Sequence, residues 1–311
     1  MLILISILFV IAAFLLAVFY VYYVAFYSRK KGQDDIYNIP LGEQYDVHKE
    51  EMLSLIRQLE KLECEDVYTT SFDGLKLHGR YYHVKDGAPL NIGFHGYRAT
   101  ALRDFCVGAN ETIKRGHNLL LIDQRGQGKS EGHTITMGVK EHRDVKSWVD
   151  FSVDRFGKDI KIILYGVSMG AASVIMATSL NLPSNVKGVI ADCPYSAPKD
   201  IILNVAKKDM GISEKLAYPF VWLGARIFGD FDINAINCKT AVKKSKVPVI
   251  ILHGEDDRYV PYQMSEEIQK ANETKVVRYT FPNAGHGISF FSDKDRYRKL
   301  TEEFFKECCE D

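Results

Sequence analysis

The residues best placed to do chemistry stand at Gly166-Val167-Ser168-Met169-Gly170, between a β-branched run, Ile160 to Tyr165, and an apolar stretch, Ala171 to Leu180. A serine between two glycines at a strand-to-helix turn can be held in strained backbone with its hydroxyl exposed, because neighbours without Cβ atoms let strand and helix approach. The helix N-terminus beside it favours developing negative charge. Such a serine attacks a carbonyl only with a base to take its proton and an acid to orient that base. Both are available downstream. Val247 to Gly254 reads as a buried strand and runs into Glu255-Asp256-Asp257-Arg258-Tyr259-Val260-Pro261. Val276 to Phe281 reads as the last strand and is followed by Pro282-Asn283-Ala284-Gly285-His286-Gly287. The chemistry these residues point to is acyl transfer, with Ser168 as nucleophile, His286 as base and an aspartate orienting the imidazole.

The order Ser, Asp, His, each in a loop just after a strand, is that of α/β-hydrolases and differs from the two common protease orders. Over roughly residues 65 to 308 the chain resembles the branch in which H-G-x-x-D-x-x-V-P carries the acid and G-H the base, the BEM46-like and S33-type serine hydrolases found as single-span membrane proteins in bacteria. Aligned on Val260-Pro261 the acid is Asp257, with Asp256 as the alternative. The oxyanion hole of such enzymes is made by two main-chain N–H groups, here expected at Met169 and, in the loop Phe94-His95-Gly96-Tyr97-Arg98, at Tyr97. His95 reads as a structural histidine of that loop.

The elements needed to position these groups are also legible. Val67 to Phe72 and Leu75 to Val84 are strand-like and joined by Asp73-Gly74, a hairpin signal. Leu90 to His95, Leu119 to Asp123 and Val186 to Ala191 are buried-strand patterns, alternating with helical stretches at Ala101 to Arg115 and Gly138 to Phe156. That alternation implies an α/β fold, a mostly parallel sheet flanked by helices. Asp192 to Lys246 is too long for a plain connection and holds two helical patterns, near Pro198 to Lys208 and Ser213 to Phe228. In the fold it resembles, this interval is a helical cap of about residues 194–245 over the strand ends. Tyr195, Phe220 and Trp222 are its candidate substrate-binding residues; the alternative is that the cap's large apolar groups serve its own packing.

The N-terminus differs in kind. Met1 to Ser28 has no charged side chain, and 20 of its residues at about 1.5 Å each cross a hydrocarbon core. Tyr20, Tyr22, Tyr23 and Tyr27 crowd its end as interfacial aromatics do. It lacks the basic start, short apolar region and small-residue cleavage site of a signal peptide. The expectation is a transmembrane helix over 1–28, a linker and amphipathic helix over 29–64, and a hydrolase domain over 65–311. Arg29-Lys30-Lys31 after the span places that domain in the cytoplasm by the positive-inside bias, and six cysteines without a C-x-x-C pair fit a reducing compartment.

Other chemistries are excluded or unsupported. Forty basic against 40 acidic residues give no nucleic-acid surface. Gly128-Lys129-Ser130 lacks the earlier glycine of a P-loop, since Asp123 stands there, and the nine histidines form no H-E-x-x-H. No metal or cofactor is expected. The expected activity is hydrolysis of an acyl ester or thioester, on a small or lipid-like substrate, by a protein partnered with the bilayer through residues 1–28. An S33-type peptidase using Glu255 and Asp256 to hold a substrate ammonium is the alternative, and a non-catalytic membrane scaffold is the alternative of another class. Nothing in the sequence fixes an oligomeric state.

Overall fold

A computed structural model of the chain describes residues 1–29 and 35–309. Lys30 and Lys31 of the expected basic cluster, and the linker residues up to 34, lie outside the described residues. Among these, the strands are β1 (Glu65–Thr70), β2 (Lys76–Tyr82), β3 (Leu90–Phe94), β4 (Asn118–Ile122), β5 (Ile162–Val167), β6 (Val186–Asp192), β7 (Val249–Gly254) and β8 (Val276–Phe281). The helices are α1 (Leu2–Ala25), α2 (Glu43–Asp46), α3 (Lys49–Glu60), α4 (Ala101–Asp104), α5 (Cys106–Lys114), α6 (Glu141–Phe156) and α7 (Met169–Ala177). Beyond these come α8 (Pro198–Met210), α9 (Glu214–Ile227), α10 (Cys238–Val242), α11 (Gln263–Ala271), α12 (Ser289–Ser292) and α13 (Lys294–Cys309).

The strands form one sheet in the order β1-β2-β4-β3-β5-β6-β7-β8. The hairpin β1–β2 and the β2–β4 pair are antiparallel, and every later pair is parallel. The central strands are buried on both faces, which is why β3, β4, β5 and β7 read as mostly apolar runs rather than alternating ones. α7 follows β5 and is buried along its whole length, so its apolar stretch packs inside the molecule. One expectation needs adjustment. The single helix over Ala101 to Arg115 is two, broken at Phe105, whose buried ring fills the space beside Gly93 and meets Tyr165 edge-on at 5.1 Å. The amphipathic helix expected within 29–64 spans Lys49–Glu60, with Met52, Ile56 and Leu59 buried.

α1 is long and apolar enough to cross a membrane. Its first two-thirds are exposed, but Val18, Tyr22 and Phe26 are buried, and Tyr22 and Phe26 belong to the main hydrophobic core. Tyr22 is therefore not an interfacial aromatic: its ring packs against Phe228 and its hydroxyl hydrogen-bonds the Thr134 hydroxyl at 2.8 Å. Main-chain bonds from Ser28 N to the His133 carbonyl and from Ile135 N to the Phe26 carbonyl extend the attachment. Arg98 donates to the Val24 and Tyr27 carbonyls, satisfying acceptors that a helix C-terminus leaves open.

Candidate active site

The chain leaves β5 through a turn at which Ser168 has φ +55° and ψ −113°, a left-handed conformation a non-glycine residue rarely holds. The flanking glycines make it attainable. A Cβ on Gly166 would collide with the main chain of Gly170, and one on Gly170 would fall on the Phe94 carbonyl oxygen. The Ser168 N–H donates to the Asp192 carbonyl at 2.8 Å, tying the turn to the end of β6.

Ser168 Oγ lies 3.0 Å from His286 Nε2, and His286 Nδ1 lies 2.7 Å from Asp257 Oδ2. With the Nδ1–H donating to the carboxylate, Nε2 is free to accept the serine proton. The carboxylate is itself fixed on all sides. Asp257 Oδ1 accepts from the Tyr259 and Val260 N–H groups, each at 2.8 Å, and Oδ2 also accepts from His253 Nε2 at 3.1 Å. His253 Nε2 must carry a proton, because its second partner is the Val260 carbonyl, which can only accept. Burial works against ionisation of Asp257, but the His286 charge and the donors from His253 and His286 hold it well below the usual carboxylate range. For His286 burial again opposes charge, and the Asp257 carboxylate outweighs it, raising the imidazole well above 6.5. Asp256 is exposed. His253 and its role were not singled out from sequence, although it opens the motif that carries Asp257.

The loop after β3 passes beside Ser168: a Cβ on Gly96 would stand 3.4 Å from that of Ser168. His95 holds this loop, with Nδ1 donating to the Gly96 carbonyl at 2.8 Å and Nε2 accepting from Gln124 N at 3.1 Å. Asp104 accepts from the Gly96 N–H at 2.7 Å, a support that sequence reading missed. Among the described residues neither the Met169 nor the Tyr97 N–H meets an acceptor. Both residues line the same cavity as Ser168. Cys193, also unforeseen, has φ +49° and places its buried thiol 3.9 Å from His286 Nε2; burial pushes that thiol up to about 12, so it stays protonated.

Ser168 and His286 open into a cavity of about 850 Å³ whose walls are overwhelmingly apolar. Of the three candidate substrate residues, Tyr195 and Phe220 line it. Trp222 does not. The lining residues of α9 are Leu216, Ala217, Phe220 and Val221, one stripe of the helix, and Trp222 lies one residue past it, where it meets Arg226. Tyr45, from the segment before β1, closes the cavity near the base by donating to the His286 carbonyl at 2.9 Å.

A profile of the S33 serine aminopeptidase family matches residues 92–230. The Bem46 protein of Schizosaccharomyces pombe is 26% identical over 230 residues, 73% of this chain and 66% of its own length. The chain has the α/β-hydrolase fold and is similar to the BEM46-like hydrolases. An uncharacterised Bacillus subtilis protein, YqkD, is 22% identical over 278 residues, 89% of this chain and 88% of its own. The Pyrococcus furiosus esterase Pf2001 superposes with a TM-score of 0.65 at 25% identity, covering 81% of this chain and 93% of the esterase. The mostly parallel sheet flanked by helices is the one expected from the sequence.

Proposed function

We propose that this hydrolase is a membrane-anchored serine esterase or thioesterase for apolar acyl groups, acting through an acyl-enzyme. The observation that carries the reading is the hydrogen-bonded line Ser168–His286–Asp257 at the inner end of an apolar cavity. In the reaction Ser168 Oγ attacks the carbonyl carbon as His286 Nε2 takes its proton. The Met169 and Tyr97 N–H groups receive the charge on the carbonyl oxygen. Collapse breaks the bond to the alcohol or thiol, which leaves with the proton from His286. Water activated by His286 then attacks the acyl-enzyme and releases the acid.

An apolar acyl group suits walls with so few polar atoms. Residues 1–28 are read as the anchor, 65–311 as the hydrolase domain and about 194–245 as its cap, with the domain on the cytoplasmic side by the charges at Arg29 to Lys31. The S33 family name keeps an aminopeptidase in view. Glu255 and Asp256, the acids offered for an ammonium, are exposed and absent from the cavity lining, which favours the ester reading.

The test is labelling of the detergent-solubilised chain by a fluorophosphonate, comparing wild type with Ser168→Ala. Labelling lost in the variant supports an activated serine at the turn. A folded wild type that does not label points to the scaffold. Turnover of aminoacyl amides in preference to decanoyl esters would move the assignment to the peptidase.

A further inference from the structure

The cavity at Ser168 is not closed by the hydrolase domain alone. One of its walls is the apolar N-terminal helix. Ala17, Tyr20, Val21, Val24 and Ala25 all line it, at spacings of 3, 4, 7 and 8 from the first, so they form one continuous stripe of α1. The neighbouring stripe, Val18 and Tyr22, docks on the cap at Gly224, where a Cβ would stand 3.2 Å from both the Tyr22 Cβ and the Val18 carbonyl oxygen. α1 is thus held rigidly enough by one face to serve as a wall with the next.

The other side of the mouth belongs to the cap. Met210 and Leu216 line the cavity although 54% and 60% exposed, so its apolar lining continues outward to the surface. That surface is continuous with the apolar flank of α1: the Phe14 and Phe220 rings lie 5.5 Å apart, and Phe19 meets Phe228 at 5.1 Å. Rising contact positions on both helices show that α9 runs parallel to α1, its start toward the exposed, apolar end. About 20 helical residues span a hydrocarbon core. The exposed apolar run of α1, Leu2 to Ala17, continues beyond Phe220 as the part available to a bilayer. Lys207, Lys208 and Lys215, interspersed with Asp209 and Glu214 around the α8–α9 turn, would lie among headgroups with their stems along the apolar rim.

We propose that α1 is a wall of the acyl site as well as an anchor, and that the acyl chain of a bilayer lipid passes between it and the cap to reach Ser168 without entering water. This rests on the serine-hydrolase reading above. A soluble acyl ester would need no apolar mouth beside α1, and an anchor acting as a tether would need no stripe facing the cavity.

The test uses the full chain in phosphatidylcholine vesicles and a decyl fluorophosphonate carrying a diazirine at the far end of its alkyl chain. Ser168 Oγ displaces fluoride to form the phosphonate ester, and light then links the chain's tip to whatever it touches. The expected result is phosphonylated Ser168 with photoadducts mapped by mass spectrometry to residues 17–25. Phosphonylated Ser168 with adducts only on other segments overturns the proposal and leaves the hydrolase reading standing. An unmodified Ser168 overturns both. Independently, Val21→Trp is expected to lower the decanoyl-to-butyryl ratio of kcat/KM at least tenfold, while Leu8→Trp, on the exposed part of α1, leaves it unchanged. A Val21→Trp enzyme with an unaltered ratio counts against the wall.

Discussion

The Tyr97 hydroxyl donates to the Ala25 carbonyl at 2.8 Å. The residue whose N–H is offered as an oxyanion donor is thereby tied to the last turn of the apolar helix, and the next residue, Arg98, is bound to two more carbonyls of the same segment. Docking of α1 and the shape of the loop beside Ser168 are parts of one structure. Removing the hydroxyl deletes a single hydrogen bond, worth about 0.5–1.5 kcal/mol. Tyr97→Phe is therefore expected to lower kcat by roughly twofold to tenfold at that energy, with KM for a short ester little changed. Steady-state kinetics on butyryl and decanoyl esters check it; an unchanged kcat would uncouple loop and helix.

Asp257 holds His286 in the tautomer that leaves Nε2 open, and its charge is what raises the imidazole. Only neutral His286 can take the serine proton. Activity is therefore expected to fall as pH drops through the raised value, so the acidic limb of kcat/KM lies above the ordinary histidine value of 6.5. Asp257→Asn removes the carboxylate, moves that limb downward and lowers kcat by about 10⁴-fold. A pH–rate profile of both proteins distinguishes this from simple misfolding, which shifts no limb.

The sheet and the three residues proposed to react were legible because each of the three sits in a loop just after a strand-like run, most plainly where burial on both faces makes that run apolar. The supports were not. His253 bonds Asp257 only because the turn after β7 brings position 253 back against 257. Asp104 reaches Gly96 through a helix break at Phe105 that no local residue announces. The docking of α1 on α9 joins segments some 200 residues apart, and the small residue that permits it, Gly224, stands inside a helical pattern where a glycine alone says little. For Trp222 size and apolarity were read correctly, but a one-residue rotation of the helix decides which side chains face the cavity.

Asp192 is a buried carboxyl at the end of β6, with Oδ2 accepting from the Tyr297 hydroxyl at 3.0 Å and Oδ1 without a partner among the described residues. The groups facing it are the Tyr165–Tyr297 pair, His253 and His286, and Asp257. Burial raises it to about 6 from 3.8. Between those values the folded protein binds the proton and the unfolded chain does not, so this group's contribution falls as pH rises from about 4 through 6 and stays low above. Asp192→Asn keeps an acceptor for Tyr297 without a charge. It is expected to stabilise the protein at pH 8 relative to pH 5, by a difference on the order of 1–3 kcal/mol. Thermal denaturation of both proteins at the two pH values measures it, and a pH-independent difference would mean the carboxyl is not titrating in this range.

Gly224 lets the cap come close to the apolar helix. A Cβ there meets two atoms at 3.2 Å, tighter than ordinary contact, and the Val18 carbonyl among them cannot rotate away. Gly224→Ala forces the helices apart by a few tenths of an ångström, while a branched side chain forces more; overpacking of this kind costs about 1–3 kcal/mol. The alternative site of relaxation is the cap, because α9 is held to the body by Val221 and Ala225, which are buried in the same core as Tyr22. Either way the wall and the cap move relative to each other. Gly224→Val is therefore expected to lower the melting temperature in detergent and to slow decanoyl esters more than butyryl esters. Ile227→Val, a small trimming at an exposed position one turn on, serves as the control and should do neither. Equal slowing of both esters by Gly224→Val would show that the contact supports the fold without shaping the acyl site.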